Sequence, residues 1–285
     1  MSSFVNVGGI ARALRRGQAP APGMFRKTYA ATTVAGAWMD CSGFPGIPVP
    51  NYYASDPLAF AALNPIRGVL HGPSVSPLKK ILRELGMISV TAGFVGTFRL
   101  LDYVGYYPFV DLDDASVQTL DNTLALSRYV DGEGLEAMLV AQAPTVGGGS
   151  FTFDYVDSDD VAHTSGVCSF NTSAAVIGQI VTSQAGGAAG FGPFLQQRAG
   201  SRGIKRVTSF TPLVPGGGLA ALVLVKPLAT LLVQEAGTYS EVNTLMHQGG
   251  DLPIIEDGAY LNYIAQSLGA TATNTIVGQI KTVWG

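Results

Sequence analysis

Apolar and polar positions along this chain follow two periods. Upstream, Ser76 and Pro77 occupy the cap and first position of a helical pattern in which Leu78, Ile81, Leu82 and Leu85 form one stripe and Gly86 stops it. A shorter pattern opens at Asp56-Pro57 and carries Leu58, Phe60, Ala61 and Leu63. These predict one or two short helices. From Met87 onward the period becomes two, and Ile88–Ala92, Thr97–Val104 and Tyr106–Val110 read as strands. Leu135–Ala141 is apolar almost throughout, as a largely buried strand is. A hairpin is predicted where Phe151, Phe153 and Tyr155 share one face, Asp157–Asp160 form a turn, and Val161–Cys168 return.

The first 57 residues carry neither period. Gln18 to Gly23 is a turn-rich connector, and Gly43 to Pro50 holds three prolines, which exclude regular helix and a central strand. Phe25, Tyr29, Trp38, Phe44, Tyr52 and Tyr53 are interleaved with these breakers. Residues 1–57 therefore read as an extended arm whose aromatics bury either against a neighbouring subunit or against the chain's own body, residues 58–285. On the first alternative, deleting residues 1–55 leaves a folded body that no longer assembles.

Two segments echo each other. Val130, Gly132, Gly134, Leu135 and Ala137 match Val214, Gly216, Gly218, Leu219 and Ala221, and Gly178-Gln179-Ile180 with Thr182 matches Gly278-Gln279-Ile280 with Thr282. The pattern suggests an internal duplication, about 117–182 and 204–282, giving two facing sheets with pseudo-two-fold symmetry. The expected fold class is all-β: a jelly-roll-like sandwich preceded by the arm.

Composition narrows the mode of existence. Of 285 residues, 47% are hydrophobic and only 13% charged, so the chain is neither disordered nor a long charged helix. Thirty-six glycines and 16 prolines suit short strands joined by turns. A net charge of -3 excludes a globally basic nucleic-acid binder. So sparse a charge on so large a surface points to a subunit covered by like copies. The apolar stretch Leu219–Val233 is broken by Lys226 and Pro227 and is too short for a bilayer, so no membrane span is expected. The amino terminus lacks the apolar region of a secretory signal. Its basic character fits a mitochondrial leader only weakly, because two glycines interrupt the amphipathic pattern.

No reaction is legible, and no enzyme is expected. There is no nucleophile elbow, and His71, His163 and His247 lie far apart. Cys41 and Cys168 form no metal or redox spacing and read as free buried thiols. Asp157, Asp159 and Asp160 lack the rest of a calcium loop and fit an Asx-rich turn, as do Asp111, Asp113 and Asp114. The triple glycines at 147–149 and 216–218 lack the Lys-Ser/Thr pair of a phosphate loop. No cofactor or metal site is expected. Two basic clusters remain: Arg12, Arg15 and Arg16 with Arg26 and Lys27, and Arg202, Lys205 and Arg206 with Arg198. Either could meet an acidic neighbour or nucleic acid, the latter not favoured.

Taken together, the Gly/Pro/aromatic arm, low charge and β-rich body resemble virion structural proteins of tailed bacteriophages. The segments Leu213–Val225, with its Gly216-Gly217-Gly218 turn, and Leu252–Asn262 carry that resemblance within residues 87–285. It implies a particle component located in the virion, either a capsid-associated cement or decoration protein or minor capsid protein, or a neck or tail part. It also implies a homo-oligomer (trimer, pentamer or hexamer) bound to other virion proteins such as a major capsid protein. The alternative class is a carbohydrate-binding or carbohydrate-active sandwich using the acidic loop 157–160.

Overall fold

The computed structural model describes residues 7–29, 32–90, 95–170, 176–183, 192–244, 252–270 and 272–285. His247 lies outside them. In chain order the described residues form helix α1 (Val7–Arg15) and strands β1 (Gly23–Tyr29), β2 (Trp38–Asp40), β3 (Gly46–Ile47) and β4 (Ala61–Ala62). A 3-10 turn over Pro65–Arg67 precedes β5 (Lys80–Ser89), β6 (Gly96–Asp111), β7 (Gln118–Thr119) and β8 (Glu136–Ala141). Then follow β9 (Gly149–Asp157), β10 (Ala162–Thr164), β11 (Cys168–Phe170), β12 (Ile204–Val214) and β13 (Leu219–Val233). The last strands are β14 (Ser240–Asn243), β15 (Ile254–Ile255), β16 (Leu261–Ser267) and β17 (Asn274–Trp284).

The protein is all-β, as expected, and its antiparallel sheets pack face to face as a sandwich with three sheets. The central sheet has the order β2-β16-β6-β13-β8, a second has β14-β5-β17-β1-β3, and a third has β10-β9-β12-β7. The long strands β6 and β13 organise the packing. The 15 residues of β13 reach about 50 Å, enough for one face of the central sheet to carry both other sheets end to end. Register shifts between Leu224/Val225 and between Pro227/Ala229 keep the apolar side chains on that one face. Ala220, Leu222 and Leu224 pack under the third sheet with Phe151, Phe153 and Tyr155. Ala229, Leu231 and Val233 pack under the second with Phe25, Leu82, Leu85 and Ile280. The opposite face, with Tyr103, Val223 and Ile264, is closed by Trp38, Tyr53, Leu63 and Ile180.

Three expectations are corrected by this architecture. First, residues 76–86 form no helix. Lys80–Ser89 is a strand paired with β17 on one side and with β14 and β15 on the other. Both faces of β5 are buried, Leu82 and Leu85 inward and Ile81 under α1, and apolar residues on two faces of a central strand mimic a helical stripe. The shorter pattern at 56–63 is likewise not helical and contributes β4. Helix α1 lies in the expected arm and covers Ile81 and Val283 with Ile10 and Ala13.

Second, the arm is part of the body. β1 pairs with β17 along its length, from Gly23↔Ile280 to Tyr29↔Asn274, and β2 pairs with β16. Phe25, Tyr29, Trp38, Phe44 and Tyr53 are buried inside this chain and unavailable to a neighbour, whereas Tyr52 is 71% exposed. Position 57/58 therefore marks no structural boundary.

Third, the echo is not a repeat of structure. β8 and β13 do not lie in facing sheets; they are neighbours in one sheet, Ala221 opposite Val140. Gly178 turns the chain at φ 88°, while Gly278 sits mid-strand beneath Phe25, where a Cβ would come 2.2 Å from a ring carbon. The matched glycines answer to different demands. The hairpin, in contrast, forms as predicted, with β10 and β11 returning along β9. No helix among the described residues is long and apolar enough to cross a membrane.

Candidate functional site

A cleft opens on the central sheet at the line where the second and third sheets part. Asp102 and Lys226 face each other across β6 and β13 there, between the two apolar halves. Asp102 is fully buried, and Arg128 closes on it through Nε at 2.8 Å and Nη2 at 2.5 Å. The same Nη2 donates to the Tyr103 carbonyl at 2.6 Å, and the Tyr260 N–H donates to Asp102 Oδ1 at 3.0 Å. Burial raises the Asp102 carboxyl above its ordinary range, and the guanidinium opposes that shift.

Above this floor one wall is formed by 75–80 with 254–257 and the other by 127–133, enclosing about 730 Å³. Asp257 holds the first wall. It accepts from Ser74 Oγ at 2.5 Å and from the backbone N–H groups of Val75 and Ser76, each at 3.0 Å. Burial disfavours its charge, yet these hydrogen bonds and nearby Lys80 hold its carboxyl below the usual range. The Lys80 side chain is wholly buried, with Nζ 3.4 Å from Asp257 and 3.1 Å from His71 Nδ1. Burial lowers the Lys80 ammonium, against the pull of Asp257. In the second wall Lys226 donates to the Glu133 carbonyl at 2.8 Å and lies 5.6 Å from the Tyr129 ring centroid. Tyr129 is held at φ 49°, a left-handed conformation that is strained for a side chain of this size.

His71 gives this wall a pH response. Its Nε2 is 3.1 Å from the Ala259 carbonyl. Burial, then the charge of Lys80, lower its pKa to about 4. The unfolded chain binds this proton below about 6.5 and the folded chain only near 4, so stability is full above pH 6.5 and is lost as pH falls through that window. Relative to a His71→Gln variant, the parent should lose up to about 3 kcal/mol between pH 7 and 4. Urea melts of both at the two pH values measure the difference; parallel losses would refute the assignment.

A second polar centre is closed rather than open. Asp40 accepts from the hydroxyls of Ser42, Tyr53 and Tyr103, each at 2.6 Å, and from the Ser42 N–H at 3.0 Å. Lys27, fully buried beside it, donates to the carbonyls of Phe44 at 2.9 Å and Ser42 at 3.3 Å. Burial pushes the Lys27 ammonium down to about 8, with Cys41 and Asp40 opposing. Cys41 is bonded to the Tyr29 hydroxyl, and burial pushes both groups well above their ordinary values. These groups fasten the arm to the sheets and are buried, with Asp40 and Tyr53 at the base of a largely apolar hollow beside Tyr52.

The expected electrostatic residues divide in two. Arg202 pairs with Asp159 at 2.5 Å and lies 3.8 Å from Glu133, and Lys205 pairs with Asp160 at 2.6 Å, so this chain supplies their acidic partners. Arg12, Arg15, Arg16 and Arg206 are exposed. The acidic loop behaves as an Asx turn: Asp157 accepts from the N–H groups of Asp159 and Val161 and pairs with His163 at 2.8 Å. Asp111 and Asp114 serve their own turns in the same way. Among the described residues no three His, Cys, Asp or Glu side chains gather as a metal would require. The cleft residues Lys80, Arg128 and Asp257, and Asp102 buried beneath them, belong to no motif of the sequence. One usable signal was Asp102 itself, a lone carboxylate inside the apolar run Leu100-Leu101-Asp102-Tyr103-Val104.

No family model, curated protein or solved structure matches this chain.

Proposed function

We propose that the chain is a structural subunit of a tailed-bacteriophage particle, a capsid-associated cement or decoration protein or minor capsid protein that stabilises a shell through contacts with its own copies and with a major capsid protein. The observation that carries this reading is the apolar exterior. Val146 is 86% exposed, Ile66 78%, Tyr52 71% and Leu70 68%, on a chain whose charged share is only 13%. Large apolar side chains left in water at several places on so weakly charged a surface favour association with other protein. The anchors are these exposed positions and not the buried aromatics of residues 1–57. The elements beneath them are paired into sheets, which suits a passive, rigid building block.

The purified protein should therefore form a defined trimer, pentamer or hexamer at micromolar concentration by light scattering. Tyr52→Glu or Val146→Asp should weaken that association by roughly tenfold or more while leaving the melting temperature unchanged. A monomer at the highest soluble concentration that also fails to bind assembled shells would sink the proposal.

A further inference from the structure

We infer that the cleft over Asp102 and Lys226 binds a short, uncharged oligosaccharide, a role that goes beyond the assembly reading and does not depend on it. Its volume, about 730 Å³, lies within the roughly 300–1,000 Å³ of small-ligand sites. The chemistry of the lining selects the class. Lys79 lies 3.9 Å from Glu256, Lys80 lies 3.4 Å from Asp257, and Lys226 and Arg128 stand in the same cleft as Asp131 and Glu133. Along the lining four cationic side chains stand against four anionic ones, and Arg128 is further neutralised by Asp102 beneath it, so a phosphate meets no net positive charge. What remains is a dense array of donors and acceptors fixed at short spacing, which vicinal hydroxyls satisfy in both senses.

The apolar part of the lining fits the same ligand. Leu78, Val130 and Ile254 expose aliphatic surface at 39%, 66% and 39%, beside the Tyr129 ring. A sugar presents C–H faces to such surfaces while its hydroxyls reach the charged groups. The left-handed backbone at Tyr129 is the strained feature expected where a wall is held in place for a ligand. A peptide added as a strand is less well served. β15 is only two residues long and already pairs with β5, and Lys79 and Gly285 exchange backbone hydrogen bonds with each other, so little strand edge is left here for a peptide to extend.

The test uses the full chain, isotopically labelled, titrated with neutral trisaccharides of glucose, galactose, mannose and N-acetylglucosamine, and separately with inorganic phosphate and spermine. At least one trisaccharide should perturb cleft resonances with a dissociation constant at or below about 1 mM. Lys226→Ala and Tyr129→Gly should each weaken it by roughly tenfold or more while keeping a cooperative melt. The glycine suits the left-handed backbone, so it remains informative if the lysine variant does not fold. No cleft perturbation by any sugar at about 10 mM overturns the inference. So does sugar binding that both variants leave unchanged, or tighter cleft binding of phosphate or spermine.

Discussion

Deleting residues 1–55 will leave no folded body. The segment supplies β1, whose removal strips the β17 edge from Gly23↔Ile280 to Tyr29↔Asn274. It also removes Phe25, Tyr29, Trp38, Phe44 and Tyr53 from the cores. Each large aromatic lost from a packed site costs about 3–5 kcal/mol, and a domain of this kind has about 5–15 kcal/mol in total. Two or three such losses already exhaust that margin. The deletion further uncovers Tyr263, Ile276 and Ile280 in the core and takes the Asp40 acceptor away from the Tyr103 hydroxyl. The expected result is an insoluble or molten product without a cooperative thermal transition. Deleting residues 1–16 is the control. Among the described residues it uncovers the patch of Ile81, Val283 and Leu252 beneath α1, at a cost of about 3–5 kcal/mol, and should give a folded protein with a lower melting temperature. A cooperative melt from residues 56–285 would refute the arm's place in the core and restore it as a separable element.

Which parts of this architecture could be read in advance follows from how local each signal is. The hairpin of β9 with β10 and β11 was legible because its alternation, its Asx turn and its pairing all lie within about twenty residues, and one face meets a core while the other meets water. β6 was legible in pieces: the alternation reads as two strands, Thr97–Val104 and Tyr106–Val110, parted at Gly105, but a bulge and two flanking strands carry the ladder through. β5 misled because Ile81 is covered by the distant α1 and Val283 while Leu82 and Leu85 face the core with Phe25 and Ile280, and a strand covered on both faces has no alternation to show. The arm was ambiguous for the same reason. Its aromatics announce burial without naming the surface that buries them, and only the distant β17 and β16 decide the matter. The cleft was nearly invisible. Its walls come from three separated stretches, and its floor depends on two bulges that bring Asp102 and Lys226 onto the face shared by both cores.

The polar seam between those two cores should be the most sensitive single point in the molecule. Arg128→Ala leaves Asp102 buried with no counter-charge, and breaking one side of such a pair costs about 3–5 kcal/mol. Replacing both residues, Asp102→Leu with Arg128→Met, removes the charge problem. It still leaves the Tyr260 N–H and the Tyr103 carbonyl short of a partner, about 1–3 kcal/mol. The double variant should therefore be more stable than Arg128→Ala alone. Acid distinguishes this cause from a simple loss of packing. Burial already raises the Asp102 carboxyl, and without the guanidinium opposing it the folded protein takes up its proton more readily than the unfolded chain does. A group with its folded pKa raised gains stability as pH falls, so the deficit of Arg128→Ala against the parent should shrink between pH 7 and 4.5. The His71 loss is common to both proteins and drops out to first order; what remains of it acts in the same direction, because Arg128 also disfavours the His71 proton. Urea melts of the parent and both variants at the two pH values carry the test. A deficit under about 1 kcal/mol, or one that does not change with pH, means the seam is held by packing and not by this ion pair.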